Sequence, residues 1–438
     1  MDLIIAFLLF TAAMITTLIT GHTMLLALAA GLAAFLVVGL RRGYHLKGML
    51  REGLRSVRSA MIVIVIMLII GAITGGWRIS GTISIFVYYG MKVIQPKLFL
   101  LIAFLLTCLL SYALGTSFGV AGTVGVIFMT LARSGGVDPI VTAGVIMSGV
   151  YFGDRCSPVS SSAHLVCGVT ETEIYRNVRL MFRTAVLPFV LTLAVYSVLS
   201  VKNPIQNVDQ DVLRTFRETF PITPWALVPA ALMLILPLLR VNVIYAMLSS
   251  IAASVVVACA ALGEPLLRVL KVLLVGVKEP GSGLVTILNG GGVLSMVEVS
   301  AILALSGMYS GIFEHTKMLE GVQQRIGGLC DRIGRYPVCF LTSLATAMVF
   351  CNQTISTLIV ADLLKRPYQL TGGDHQELAI DMENSVILLS CLVPWCIGFI
   401  VPMEFMGTDF TCIPYACYMY LVPLTYFFVK GRMKEWKK

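Results

Sequence analysis

The sequence predicts an all-α polytopic membrane protein, and three observations carry that expectation. Of its 438 residues, 58% are apolar and 13% charged, whereas a soluble domain carries about 25% charge. Apolar runs approaching the roughly 20 residues that cross a bilayer core recur along the chain: Leu3–Leu18, Met61–Ile73, Ala185–Leu199, Ala226–Leu239 and Val241–Leu262. A helix apolar on every face needs lipid or other helices around it, and one such run fits a core helix where this many do not. Finally, the basic residues behind the net charge of +9 gather in short segments between the runs. That is the topogenic bias of membrane proteins rather than a nucleic-acid footprint, so no nucleic-acid partner is expected.

Taken in order, the first run reads as a span and not as a cleaved signal, because Met1-Asp2 offers no basic leader and the apolar stretch resumes at Met24. The basic segments Arg41–Arg58, Arg176–Arg183, Lys317–Arg335 and Lys430–Lys438 put both termini in the cytoplasm. The stretch Lys202–Phe220 is then external, with Arg214 and Arg217 offset by Asp209, Asp211 and Glu218. Between these anchors the count is about ten transmembrane helices, plus two segments that must enter and leave on one side. These are Lys97–Leu131, centred on LSYALGTSFGVAGTVG, and Tyr336–Leu364, centred on ATAMVFCNQTIST. Apolar arms around a small polar centre suggest re-entrant helical hairpins, since irregular backbone at membrane depth survives only against protein or a water-filled cavity. For either segment alone, one ordinary span is the alternative. The eleven cysteines lie mostly inside apolar runs without zinc-type spacing, and read as small core residues.

A repeat relates the two halves. Gly115 and Asn352, at the hairpin centres, lie 237 positions apart. The same offset carries Ser157, in GDRCSPVSSS, onto Pro394, in CLVPWCIG, and both segments are Pro-containing breaks of apolar runs. Met61 is carried onto Glu298, near the start of a second long run. Corresponding broken helices in two inverted-topology repeats point to a transporter's binding site. The domain reading is 1–96 as N-terminal scaffold helices and 97–200 as first hairpin, broken helix and following helix. It continues with 201–335 as linker and second scaffold, 336–430 as second hairpin, broken helix and last helix, and 431–438 as a basic cytoplasmic tail.

GTSFGVAGTVG, SGVYFGDRCSPVS, GGWRISGTISIFVYYG and GGGVLSM…SGMYSGIFE resemble the NhaC-type sodium/proton antiporters, over about Arg58 to Phe428. The resemblance implies membership of a wider ion transporter superfamily. It also implies an elevator-type alternating-access movement, a homodimer, and residence in a bacterial plasma membrane. Two places depart from the family pattern: Ser161-Ser162-Ala163 where relatives commonly carry Asp-Thr-Thr, and Asn352-Gln353 where an Asp often precedes Gln. Neutral oxygen ligands there shift weight toward an organic solute.

The candidate substrate- or cation-binding residues are Gly115, Thr116, Ser117, Asp154, Ser157, Ser160, Ser161, Asn352, Gln353, Thr354, Glu383 and Asn384. Sodium prefers hard oxygen ligands, and Thr116, Ser117, Asp154 and Asn352 are the residues to hold it. The same hydroxyls, amides and helix N-termini suit a carboxylate equally well. Proton coupling needs an ionisable group within the membrane; Asp154, Glu383 and Glu298 are the candidates, and Glu404 also follows the second break. An ion pair of Asp154 with Arg155 or Arg183 is the structural alternative. No cofactor is expected beyond sodium or protons as coupling ions. The function expected is sodium/proton antiport, with cation-coupled carriage of an organic acid or amino acid as the alternative. An enzyme is not expected, because no metal-binding His pair, nucleophile motif or phosphate loop is present.

Overall fold

The computed structural model describes residues 2–20, 23–93, 95–205, 223–239, 241–278, 290–316 and 328–430. The expected tail 431–438, and most of the segments Lys202–Phe220 and Lys317–Arg335 used for topology, lie outside the described residues. The regular elements are helical, apart from one isolated bridge between Val277 and Gly290. In chain order they are α1 (Asp2–Thr20), α2 (Met24–Arg41), α3 (Leu46–Ile79), α4 (Thr82–Val93) and α5 (Phe99–Leu114). Next come α6 (Ser117–Ser134, with a π turn over Ala121–Gly125), α7 (Pro139–Cys156), α8 (Ser161–Thr170) and α9 (Ile174–Lys202). They are followed by α10 (Val228–Leu238), α11 (Val243–Val256), α12 (Leu266–Val275) and α13 (Val297–Thr316). The last are α14 (Arg335–Phe350), α15 (Gln353–Leu370), α16 (His375–Glu383), α17 (Val386–Leu389), α18 (Ile397–Met406) and α19 (Cys417–Val429).

Helix α3 packs along α13, α5 along α7, and α1 along α2. Aromatic side chains knit the N-terminal helices to α13 and α14: Phe35 lies 4.9 Å from Phe313, and Phe313 lies 5.2 Å from Phe350. Gly71 and Gly75 on α3 let the segment at Gly292 approach, so that the Gly292 amide donates to the Gly71 carbonyl at 2.7 Å. A side chain on either glycine would meet backbone atoms within 2.8 Å.

The count of crossings needs correction. Among the described residues, six helices are long and apolar enough to span a membrane, or seven if the bent pair His375–Leu392 and Ile397–Met406 forms one span. Apolar helical stretches of 10–17 residues, too short to count as spans, are Ile5–Thr17, Ile64–Ile79, Pro224–Met233, Cys417–Val429 and, at the start of the second expected hairpin, Arg335–Phe350. The first expected hairpin consists instead of two helices, Pro96–Leu114 and Ser117–Ser134, each long enough to cross. The architecture of about ten transmembrane helices plus two re-entrant hairpins in two inverted-topology, elevator-type repeats is therefore replaced by an all-α polytopic fold with about six to seven transmembrane helices.

What repeats is backbone conformation, with an offset of 236 positions rather than 237. Helices α5 and α14 are both 16 residues long and end in the left-handed region, at Gly115 (φ 61°) and Cys351 (φ 55°). Thr116 (φ −140°) and Asn352 (φ −146°) follow as extended N-caps. Asp138 and Asp374 cap α7 and α16 with their carboxyls. The breaks correspond as well, Ser157 (φ −82°) with Val393 (φ −82°) and Ser160 (φ −68°) with Cys396 (φ −79°). Pro158 is thereby aligned with Pro394. Glu171 (φ 57°) and Gly407 (φ 60°) end α8 and α18 in the same left-handed turn.

Candidate functional site

The first break is built by one proline and three serines. Pro158 has no N–H to continue α7, so the chain leaves the helix at Ser157 and re-enters at Ser161. Ser160 caps α8, its Oγ accepting from the Ser162 and Ala163 amides at 3.2 and 3.4 Å. The same hydroxyl donates to Asp154 Oδ1 at 3.1 Å, and the Ser162 hydroxyl donates to the Asp154 carbonyl at 3.0 Å. Asp154 is only 3% exposed, and its second carboxyl oxygen, Oδ2, has no hydrogen-bond partner among the described residues. Ser157 turns away, donating to the Tyr112 carbonyl at 2.6 Å.

The tip after α5 seats against this break. A Cβ on Gly115 would lie 2.6 Å from the Val159 carbonyl carbon and 2.8 Å from the Ser160 nitrogen, so the contact needs glycine as well as its positive φ. Thr116 and Asn352 each spend a side-chain oxygen on capping, accepting from Gly119 N at 3.3 Å and Ile355 N at 3.2 Å. The tip at Cys351 seats against the second break, where the Ile397 amide donates to the Cys351 carbonyl at 2.8 Å and the Trp395 indole to the Met348 carbonyl at 2.8 Å. The Gln353 amide donates to the Ile387 carbonyl at 2.8 Å and lies beside the Asp154 carboxyl, linking the second tip to the first break.

Helix α16 stops at Glu383, and the following Ser385 (φ −127°, ψ −82°) leaves helical geometry before α17 begins. Glu383 is fully buried, and neither Oε1 nor Oε2 has a partner among the described residues. It lies within electrostatic range of both Asp154 and Arg155. Arg155 crosses from the end of α7 to this interruption, which lies on the N-terminal side of the break at Val393–Cys396. Its Nε donates to the Glu383 carbonyl at 3.2 Å and its Nη2 to Asn384 Oδ1 at 2.5 Å and Thr184 Oγ1 at 2.6 Å. The Tyr418 hydroxyl (3.2 Å) and the Met181 carbonyl (3.3 Å) take further donors. Its hydrogen-bond partners among the described residues are all neutral, so the expected ion pair with Asp154 is absent there, and Arg183 is exposed. The Asn384 amide nitrogen is buried without an acceptor among the described residues.

The structure thus brings the buried Asp154, Ser160, Glu383 and Asn384 together with the half-buried Gln353, and adds Ser162 and Arg155 to the expected set. Ser161 and Thr354 are exposed, and Thr116 is half-buried. Ser117 is buried, with no side-chain bond to this group among the described residues. Glu298 stands apart: it is exposed in the first turn of α13, accepts from Thr23, and lies in range of Glu404 rather than Asp154. Chemically, Asp154 with the hydroxyls of Ser160 and Ser162 and the Gln353 amide offers hard oxygen donors to a small cation. No set of three or more His, Cys, Asp or Glu residues that could hold a metal is found among the described residues.

Residues 2–163 and 149–431 match the Na+/H+ antiporter family. The chain is similar to the malate-2H(+)/Na(+)-lactate antiporter of Bacillus subtilis, with 26% identity covering 91% of this chain and 88% of that protein. It is also similar to the Na(+)/H(+) antiporter NhaC of Bacillus subtilis, with 26% identity over 87% of this chain and 86% of that protein. A shorter likeness, 34% identity over 33% of this chain and 30% of the relative, links it to the arginine/ornithine antiporter ArcD of Halobacterium salinarum. A multi-pass helical fold, two carboxylates buried at facing helix breaks and a match along nearly the whole chain agree: this protein belongs to the Na+/H+ antiporter family, whose members are secondary active transporters and not enzymes.

Proposed function

We propose that sodium/proton exchange by this chain takes place at the buried group formed by the two breaks, with Asp154 and Glu383 as its charge-carrying side chains. The observation that carries this reading is the open bonding capacity of Asp154 Oδ2 and of both Glu383 oxygens, all buried. An ionised carboxylate in a low-dielectric interior is costly unless a cation or donor compensates it. Two of them within range of each other repel, so one site that alternately takes a proton and a sodium ion relieves the repulsion with either. Asp154 has the oxygen-rich surroundings suited to sodium, whereas the Glu383 carboxyl has no donor among the described residues and suits a proton. Arg155 supplies one fixed positive charge, so the pair is never compensated by protein alone.

The malate/lactate and arginine/ornithine relatives raise a second reading, exchange of an organic acid or amino acid. Between these, the open carboxylates favour a cationic group over an anion, since Arg155 already spends its donors within the protein. Cytoplasmic termini and a homodimer belong to the same proposal, on the grounds of basic-residue placement and family resemblance. The deciding experiment imposes a sodium gradient on proteoliposomes and follows internal pH, with no organic solute present. Wild-type protein is expected to move protons against sodium, and Asp154→Asn and Glu383→Gln to abolish it. Full exchange in both variants would remove the pair from the mechanism.

A further inference from the structure

A second ionisable cluster lies where α14 begins and α19 ends, outside the carboxylate site. Arg335 binds Glu377 through two parallel contacts of 3.0 Å, and Lys430 bridges from Glu377 (2.8 Å) to Asp381. Asp381 is fully buried and also receives the hydroxyls of Tyr368 (2.7 Å) and Tyr426 (2.9 Å). Arg335, Glu377 and Lys430 of this cluster border a cavity of about 490 Å³ whose wall also includes Cys330, Tyr336 and Phe427, and Asp381 lies behind Lys430. Tyr336 forms the inner end of that wall. Its ring packs edge-on against Tyr426 at 4.7 Å, under the Lys430 ammonium at 5.6 Å. Its hydroxyl donates to the Pro423 carbonyl at 3.0 Å and the Asn384 carbonyl at 3.2 Å. Asn384 adjoins Glu383, so the Tyr336 ring links the cavity wall to the interruption after α16.

Packing alone does not call for charge here. The corresponding positions of the first half, Phe99, Leu100, Ala132, Val141 and Val145, are apolar and buried in the same backbone frame. Burying an ion pair gains little net stability over apolar packing, and such pairs are best attested in register and switch roles. We propose that this cavity is an entrance through which a small hydrated cation reaches the Asp154–Glu383 site, with Tyr336 as the partition and the Arg335–Glu377–Lys430–Asp381 chain as its latch. This rests on the reading of the carboxylate site given above. Opening the latch separates the start of α14 from the end of α19, and the Tyr336 ring then leaves the Asn384 carbonyl.

Cys339 is a native reporter of that movement. It lies one turn beyond Tyr336 on α14, fully buried, with its Sγ 3.3 Å from Ser385 Oγ. Full-length protein in proteoliposomes is treated with a thiol-reactive maleimide, and peptide mass spectrometry reads each cysteine separately. Tyr336→Ala is expected to raise labelling at Cys339 by about tenfold or more, as a local opening does. Tyr336→Phe, which keeps the ring, should leave it protected, and Lys430→Met should raise it by a smaller factor. Sodium is expected to slow the labelling in Tyr336→Ala, while the same concentration of choline does not. Continued protection of Cys339 in both Tyr336→Ala and Lys430→Met, equal labelling in Tyr336→Phe, or equal effects of sodium and choline overturns the proposal. Unfolding would announce itself as labelling of Cys108 and Cys412, buried in the first-half core, and Lys430→Met then decides. Failure of the carboxylate reading would show separately, as unchanged exchange in Asp154→Asn and Glu383→Gln.

Discussion

Residues 98–173 and 334–409 share their caps and left-handed turns, at Gly115 and Cys351 and at Glu171 and Gly407, yet α7 runs unbroken where its counterpart stops at Glu383, and they carry different chemistry. In the first half the helix starts are cemented by apolar contact, with Phe99, Leu100 and Val145 fully buried. In the second half the same places hold Arg335, Tyr336 and Asp381, tied through Lys430. The first break holds a carboxylate that its own serines partly satisfy. Ahead of the second break lies Glu383, whose carboxyl has no partner among the described residues, and the interruption after it borrows a guanidinium from the end of α7. One frame therefore serves two purposes, because backbone geometry is set by caps and prolines whereas charge is set by side chains that the frame leaves free.

The dependence of the second break on Arg155 gives the largest expected effect. Arg155→Met leaves the Asn384 and Thr184 oxygens and two carbonyls without their donor in a dry interior. It should lower stability by about 3–5 kcal/mol, read as a large fall in melting temperature in detergent. A Lys at this position keeps the charge but not the fork, and is expected to recover only part. If Arg155→Met melts like wild type, the two breaks are not coupled through this residue.

The apolar and charged solutions of the shared frame can be exchanged directly. Asp381→Val, which copies the first half, strands Lys430 beside a buried apolar surface and should cost about 3 kcal/mol, while the double change Asp381→Val with Lys430→Met should return most of it. Denaturation of the three variants side by side measures the coupling, and additive losses would show that the pair does not act as a unit.

The tips offer a smaller contrast. Gly115→Ala forces a Cβ against the Val159 and Ser160 backbone and is expected to cost about 1–3 kcal/mol. Cys351→Ala, at the equivalent left-handed residue, already has room for a Cβ and should cost less than about 1 kcal/mol. Equal losses would mean that the tips do not differ in their seating.

The smallest effect is at the ends of α8 and α18. Arg133 donates to the Gly407 carbonyl at 2.8 Å, whereas Glu171 at the matching turn binds Lys365 with its side chain. Hydrogen bonding and the charge of Lys365 hold the Glu171 carboxyl below the usual carboxylate range. A lowered pKa means that this contribution is present above the unfolded-state value and is lost as pH falls through the folded one. The melting difference between wild type and Glu171→Gln should therefore shrink to nothing in acid, and one that stays constant would rule out an ionic origin.

Much of the candidate site was legible in the sequence. Asp154, Glu383 and the Pro-containing breaks stood out because a carboxylate or proline inside an apolar run is expensive and needs a reason. The offset came out one residue too long because Gly115 was matched to Asn352 by its place in the motif. The structure pairs Gly115 with Cys351, a left-handed non-glycine that residue type does not announce; the Pro158–Pro394 pair held the correct spacing. Arg155 was read as a neighbour for Asp154, but consecutive residues on a helix do not face one another. Asp154 turns to α8, and Arg155 turns to α9 and the second break. The count of crossings failed because apolar runs of 10–17 residues and full spans look alike in composition.

By itself the sequence determined that the chain is helical and membrane-embedded, that its helices break at two related places, and that ionisable residues lie close to those breaks. Each of these follows from local physics: apolar length, proline's missing donor and the cost of charge in lipid. Only the tertiary structure decided that Arg155 serves Glu383's break instead of pairing with Asp154, that Glu298 stands apart, and that Lys430 reaches Asp381. Those contacts join residues tens to hundreds of positions apart, and which side chains meet depends on helix rotation and crossing, which a one-dimensional pattern does not encode.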